Sequence, residues 1–231
     1  MTDQSHRLVR MTGRDVAQVH RAATPLELLF DLAFVVAFGT AANELAHALV
    51  EDHVRVGVVG FCFATFAVSW AWINFAWFAS AFDTDDWIYR LTTMVQMVGV
   101  LILALGLPDM FASLEEGEVL DNRVMVLGYV VMRLPMVFQW MRAARQDPAR
   151  RPAARVFIIT ITVAQVGWIV LLVLNLSIPV TFVLVAALVL VELAGPVYAE
   201  TRTIGTPWHP RHIAERYGLL VIIALGEGPP S

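Results

Sequence analysis

The stretch VRVGVVGFCFATFAVSWAWINFAWFASA, Val54–Ala81, decides the fold. After Arg55 it carries no Asp, Glu, Lys or Arg, and as a helix rising about 1.5 Å per residue it outspans the ~30 Å hydrocarbon core of a bilayer. In lipid only a helix satisfies its own backbone N–H and C=O groups without neighbouring strands or water, and the period-two alternation of a barrel strand is absent here. Working outward, comparable apolar blocks recur at Leu26–Val50, Trp87–Leu107, Arg123–Met141, Ala153–Asn175 and Ile178–Ala194, punctuated by charge and by Pro or Gly. Another apolar run starts near His212 and stops before it would cross the core. The expected fold is all-α: a polytopic transmembrane helix bundle with six complete spans and a partial seventh, residues 1–25 forming a polar N-terminal segment and 26–231 the membrane domain.

Composition points the same way. Of 231 residues, 58% are hydrophobic and 16% charged, against roughly 45–50% and 25% in soluble domains, so a water-soluble surface cannot be built from this chain. The net charge of -4 comes from 20 acidic and 16 basic residues, and every basic one is Arg. These arginines scatter through segments flanking the spans, which excludes a nucleic-acid-binding patch. Met1 to Ala23 holds no apolar region with a small-residue cleavage site, so the first span is expected to act as its own insertion signal. The lone Cys62 cannot form an intrachain disulfide and is expected to be a small core residue.

Arginine placement predicts orientation, because loops rich in Lys and Arg stay cytoplasmic. Arg7, Arg10, Arg14 and Arg21 precede the first span; Arg142, Arg145, Arg150, Arg151 and Arg155 follow the fourth; Arg202, Arg211 and Arg216 follow the sixth. The loop after the third span has Glu115, Glu116, Glu118 and Asp121, with Arg123 alone at its edge. Alternating crossings from a cytoplasmic N-terminus put every arginine-rich segment on one side.

Three segments together resemble the bacterial low-temperature-requirement A (LtrA) family: TPLELLFDLAFVVAF (Thr24–Phe38) followed by His47, WAWINFAWFASAFDTDDWIYRLTTMVQM (Trp70–Met97), and HIAERYGLLVIIALGE (His212–Glu227). The resemblance implies a multi-pass protein of the bacterial inner membrane, named for a cold-growth phenotype rather than a reaction. It also implies further spans after the Leu-Gly-Glu, so that this chain corresponds to about the front two-thirds of a family member; Gly228-Pro229-Pro230 departs from that pattern.

Ionisable side chains inside a span cost about 2.5–3.5 kcal/mol each on insertion scales, so they face protein or water and mark ion pairs or pathways. Glu27 and Asp31 share one face of the first helix, Arg90 opens the third span, Arg133 lies within the fourth, Glu192 near the inner end of the sixth, and Glu215 with Arg216 at the start of the last. One reading pairs Arg133 and Arg90 with Glu27, Asp31 or Glu192 to hold helices in register; the other makes the same carboxylates a hydrated relay for protons or ions. Asp83, Asp85 and Asp86 precede the third span, where they can cap the helix or form a cation-attracting mouth. Asn43, Glu44 and His47 form an outer polar group. Glu44 and His47 have the Glu-x-x-His spacing of di-iron bundles, but no second such motif occurs, so no metal is expected and an interfacial hydrogen-bonded pair is. Trp70, Asn74 and Trp77 present an aromatic face with an amide, expected to bond a neighbouring helix, while Trp87, Trp168 and Trp208 suit interfacial anchoring. No phosphate loop, nucleophile elbow or metalloprotease helix is found, so an enzyme is not expected. The expected function is permeation or transport of a small solute, ion or proton, without a cofactor; the alternatives are a non-transporting scaffold for cold or other stress tolerance, or a non-functional fragment. The expected partners are the lipid bilayer and that solute or ion.

Overall fold

The computed structural model describes residues 8–14 and 23–226. Arg7 and Arg21 of the orientation argument, and the tail from Glu227 to Ser231, lie outside the described residues. Among the described residues eight helices follow one another: α1 (Pro25–Val50), α2 (Val54–Phe82), α3 (Trp87–Leu105), α4 (Leu107–Glu116), α5 (Arg123–Gln146), α6 (Arg151–Leu174), α7 (Ile178–Arg202) and α8 (Pro210–Gly226). With α3 and α4 taken as one rod, six are long and apolar enough to cross a membrane. At 17 residues α8 is shorter than these.

Local chemistry sets the boundaries. Thr24 and Glu27 form a reciprocal capping box at the start of α1, with Pro25 placed where its missing N–H costs nothing. Asp86 caps α3 by accepting from the Tyr89 N–H at 2.9 Å. The third span does not end at Leu107: Gly106 and Pro108 break the rod, and α4 continues to Glu116, so Glu115 and Glu116 are helical rather than loop residues. Gly117, at φ 78, terminates α4 in the left-handed region that glycine adopts without strain. Likewise α5 runs past Met141 to Gln146, and α7 runs past Ala194 through Gly195 and Pro196 to Arg202. Bilayer-scale length marks a span, but a helix outlasts its apolar block when the next turns are tolerated in the interface.

Helix neighbours form a chain in space, α8 on α1, α1 on α3, α3 on α5, α5 on α6 and α6 on α7, while α2 packs against α1, α4, α5 and α8. The closest approach is between α3 and α5. A Cβ added to Gly128 would lie 2.2 Å from the Leu103 backbone nitrogen, and one on Gly99 only 2.5 Å from that of Met132. Such small-residue seams let dispersion and backbone contact hold helices that have no hydrophobic drive to associate in lipid. An aromatic core lies farther along α5, toward the end of α2: Trp140 stacks on Phe157 at 4.1 Å and meets Phe78 edge-on at 4.8 Å. Cys62, expected in the core, faces outward, because the inward face of α2 there is given to Gly60 and Ala64.

Because the helices alternate in direction, the starts of α1, α3, α6 and α8 and the ends of α2, α5 and α7 share one end of the bundle. Among the described residues this end holds Arg10, Arg14, Arg90, Arg142, Arg145, Arg150, Arg151, Arg155, Arg202, Arg211 and Arg216, whereas Arg55 and Arg123 mark the other. The seam yields a test. Gly128→Val drives a branched side chain into the Leu103 backbone and should destabilise the bundle by about 1–3 kcal/mol or more. The check is the unfolding midpoint of purified protein in detergent; an unchanged midpoint would show that α3 and α5 are not in this contact.

Candidate functional site

Two buried carboxylate centres flank α2. The first lies between α1, α2 and α8. Glu27 and Asp31 stand one turn apart on α1, and His212 and Arg216 stand one turn apart on α8, so two matched i, i+4 pairs face each other. His212 Nε2 lies 3.4 Å from Glu27 Oε2, Arg216 Nη2 donates to Asp31 Oδ1, and Arg216 Nη1 is 3.9 Å from Glu27 Oε1. Trp72 Nε1 donates to the same Asp31 oxygen at 2.6 Å, while its ring and that of Phe75 lie 5.2 and 5.4 Å from the Arg216 guanidinium carbon. Glu27, Asp31 and Arg216 are wholly occluded at 0% exposure, and His212 is 1% exposed.

The second centre gathers α2, α5, α6 and α7 around Glu192. Its Oε2 accepts from Tyr129 Oη at 2.6 Å, from Arg133 Nη2 at 3.2 Å and from Trp70 Nε1; its Oε1 accepts from Trp168 Nε1 at 3.0 Å. Four donors on one carboxylate supply what water would supply outside the membrane, which is how a charge is kept in a low-dielectric slab. Arg133 keeps Nε and Nη1 without a hydrogen-bond partner among the described residues, although both are buried. Unlike the first centre, this one is open: Glu192 is 8% exposed and lines a cavity of about 30 Å³ with Phe63, Phe66, Trp70, Tyr129 and Trp168. Its volume matches one or two waters, while its accessible surface is apolar.

Several expected placements change. Arg90 joins neither centre; its guanidinium is exposed and grips Asp85 through two hydrogen bonds at 2.8 and 2.9 Å. Glu215 is exposed, one residue round the helix from the buried face of Arg216. Asp31 pairs with Arg216 rather than Arg133. The three aspartates do not form an open acidic mouth: Asp86 and Asp83 are buried, bound by Arg142 and by Arg14 at 3.4 Å, and only Asp85 is exposed. Asn43 and His47 are exposed, Glu44 is half-buried, and His47 Nε2 meets Glu51 at 3.5 Å rather than bonding Glu44. Asn74 donates to the Trp70 carbonyl of its own helix at 2.8 Å, not to a neighbour. Trp77 Nε1 donates to Thr206 at 2.8 Å, and its ring lies 4.6 Å from that of Trp208. Trp168 is buried at Glu192 instead of anchoring in the interface, whereas Trp87 is exposed. Tyr129, Trp72 and His212 were missed, yet Tyr129 precedes Arg133 by one turn and His212 precedes Arg216 by one turn, so a face argument could have found both.

At the arginine-rich end, residues 8–14 form a strap across the bundle. Val9 N–H donates to Asp86 at 3.2 Å, Met11 N–H to Gln146 Oε1 at 2.6 Å, and Gly13 N–H to Asp147 at 2.8 Å. Burial opposes ionisation of Asp86, but hydrogen bonds from Arg142, Tyr89 N–H and Val9 N–H, with the Arg142 charge, outweigh it and hold the carboxyl below its usual 3.8.

A family model described as bacterial low temperature requirement A protein (LtrA) matches residues 22–228. A relative described as uncharacterized protein RA0937 from Rhizobium meliloti (strain 1021) is 29% identical over 212 residues, covering 87% of this chain and 48% of the relative. The chain thus spans about half the length of the curated relative it matches. No solved structure matches.

The Asp86 latch makes a pH prediction. A depressed folded-state pKa contributes stability that is fully present above the unfolded value near 3.8 and is lost as pH falls through the folded value. Asp86→Asn, which keeps the cap but removes the charge, should lower the unfolding midpoint at pH 7, and its deficit should shrink once pH drops below about 4. A deficit independent of pH would show that the latch is not ionic.

Proposed function

The chain belongs to the bacterial low temperature requirement A (LtrA) family, and for this member we propose non-enzymatic permeation of protons or a small ion across the bacterial inner membrane, with its N-terminus in the cytoplasm. The orientation follows from the arginine-rich end, which carries the strap and the α2–α3, α5–α6 and α7–α8 connections. One observation carries the functional reading. Of the two intramembrane carboxylate centres among the described residues, the one at Glu192 combines a buried guanidinium with residual exposure of the carboxylate and a cavity that Glu192 itself lines.

Arg133 Nη2 lies 3.2 Å from Glu192 Oε2, so a proton or cation reaching Glu192 must compete with that pair. Arg133, when released, retains Tyr129 as a partner and its Nε and Nη1 as free donors. The Trp70 and Trp168 indoles fix the carboxylate during the exchange, leaving Tyr129 as the hydroxyl that can relay a proton to it at 2.6 Å. The occluded Glu27–His212 and Asp31–Arg216 pairs favour an architectural role for the first centre, as in a scaffold for stress tolerance, beside the exchanging second centre.

The test is proton and cation flux into proteoliposomes holding a pH-reporting dye. Glu192→Gln should reduce flux at least tenfold while the protein stays monodisperse with unchanged helicity. Absence of flux in folded wild-type protein, or full flux in Glu192→Gln, would overturn the reading.

A further inference from the structure

At the arginine-poor end, the turn joining α1 to α2 and the last turn of α4 bring together groups that no span-by-span reading connects. Glu51, His53 and Glu115 each offer a ligand atom, and these atoms all lie within 4.8 Å of one another. His53 Nδ1 is 3.2 Å from Glu115 Oε1 and 3.9 Å from Glu51 Oε2. A tetrahedral zinc with bonds of about 2.0–2.2 Å requires ligand-to-ligand edges of roughly 3.3–3.6 Å, so the measured pair distances bracket that edge. We propose that Glu51, His53 and Glu115 form a three-ligand Zn2+ site, with its fourth position open to water.

The donor set suits this class of ion, since imidazole nitrogen with carboxylate oxygen favours zinc and its first-row neighbours over magnesium or calcium, which take oxygen alone. Charge argues likewise. Two carboxylates are held together with a histidine that is charged only when protonated, and a dication would neutralise both at once. A second imidazole supports the first: His47 Nε2 lies 3.5 Å from Glu51 Oε1, the oxygen not facing His53, and so orients the ligand from behind.

The scaffold under the three ligands is packed rather than loose. His53 N–H donates to the Ala48 carbonyl at 2.8 Å and Glu51 N–H to that of His47 at 3.2 Å, so the turn is pinned to α1. A Cβ on Gly57 would lie 2.8 Å from Ala48 Cβ, and one on Gly60 would lie 2.7 Å from the Phe111 ring; these contacts press α2 onto α1 and α4. The ligand side chains remain 31% to 52% exposed, open to the aqueous phase.

The experiment titrates Zn2+ against a chromophoric chelator into the full chain in nanodiscs, without a polyhistidine tag. One Zn2+ per chain is expected, with affinity at least tenfold weaker in His53→Ala and in Glu115→Gln, and unchanged in Asp121→Asn, an exposed acid outside the cluster. Co2+ in place of Zn2+ should give visible absorption of a four-coordinate site that both variants lose. No saturable binding by wild type, or undiminished affinity in either variant, overturns the proposal. Circular dichroism on each variant confirms that a loss is not unfolding.

Discussion

A charge inside a bilayer must be solvated by protein, and this requirement organises the bundle. Glu27, Asp31 and Glu192 would each be costly in hydrocarbon, so each meets an arginine from a helix far away in sequence: Arg216 of α8 for the first two, Arg133 of α5 for the third. Removing one partner of such a buried pair typically costs about 3–5 kcal/mol, which exceeds what any single apolar contact contributes. The pairs therefore tie together helices distant in sequence, α8 to α1 and α5 to α7, while the glycine seam Gly99–Gly128 sets how closely α3 and α5 approach.

The role of α2 follows from helical geometry. Trp70 and Trp72 are two residues apart and so project to opposite sides, one indole N–H serving Glu192 and the other Asp31. A single helix thus touches both charge centres while separating them. The carboxylates differ in their surroundings: Glu27 and Asp31 are fully occluded, whereas Glu192 itself lines a small cavity. The two centres differ in exposure rather than in chemistry, with Asp31 and Arg216 at 0% and Glu192 at 8%.

The six spans were legible in the sequence because bilayer thickness imposes a length that apolar blocks must meet, as Val54–Ala81 does. Their ends were less legible: α7 crosses Gly195 and Pro196, since a membrane helix tolerates Pro where neighbours compensate. The identities of Asp31, Arg133, Glu192 and Arg216 as buried charges could be read from hydropathy alone. Their partners could not, because charge at one depth says nothing about azimuth around the bundle. Arg90 shows the limit, a span-opening arginine that turns outward to Asp85. The Glu51, His53 and Glu115 cluster was illegible for a related reason: its members come from a turn and a helix end brought together by the packing of α4 on α1 and α2, which includes Phe111 on Gly60.

The helix arrangement depends on specific pairing of buried charges, and double-mutant cycles on unfolding in detergent test that pairing most directly. The Asp31→Asn with Arg216→Gln cycle, and the Glu192→Gln with Arg133→Gln cycle, should each give a coupling of about 1–3 kcal/mol, while Asp31→Asn with Arg133→Gln should be additive within about 0.5 kcal/mol. Coupling between Asp31 and Arg133, or none between Asp31 and Arg216, would contradict the arrangement of helices described.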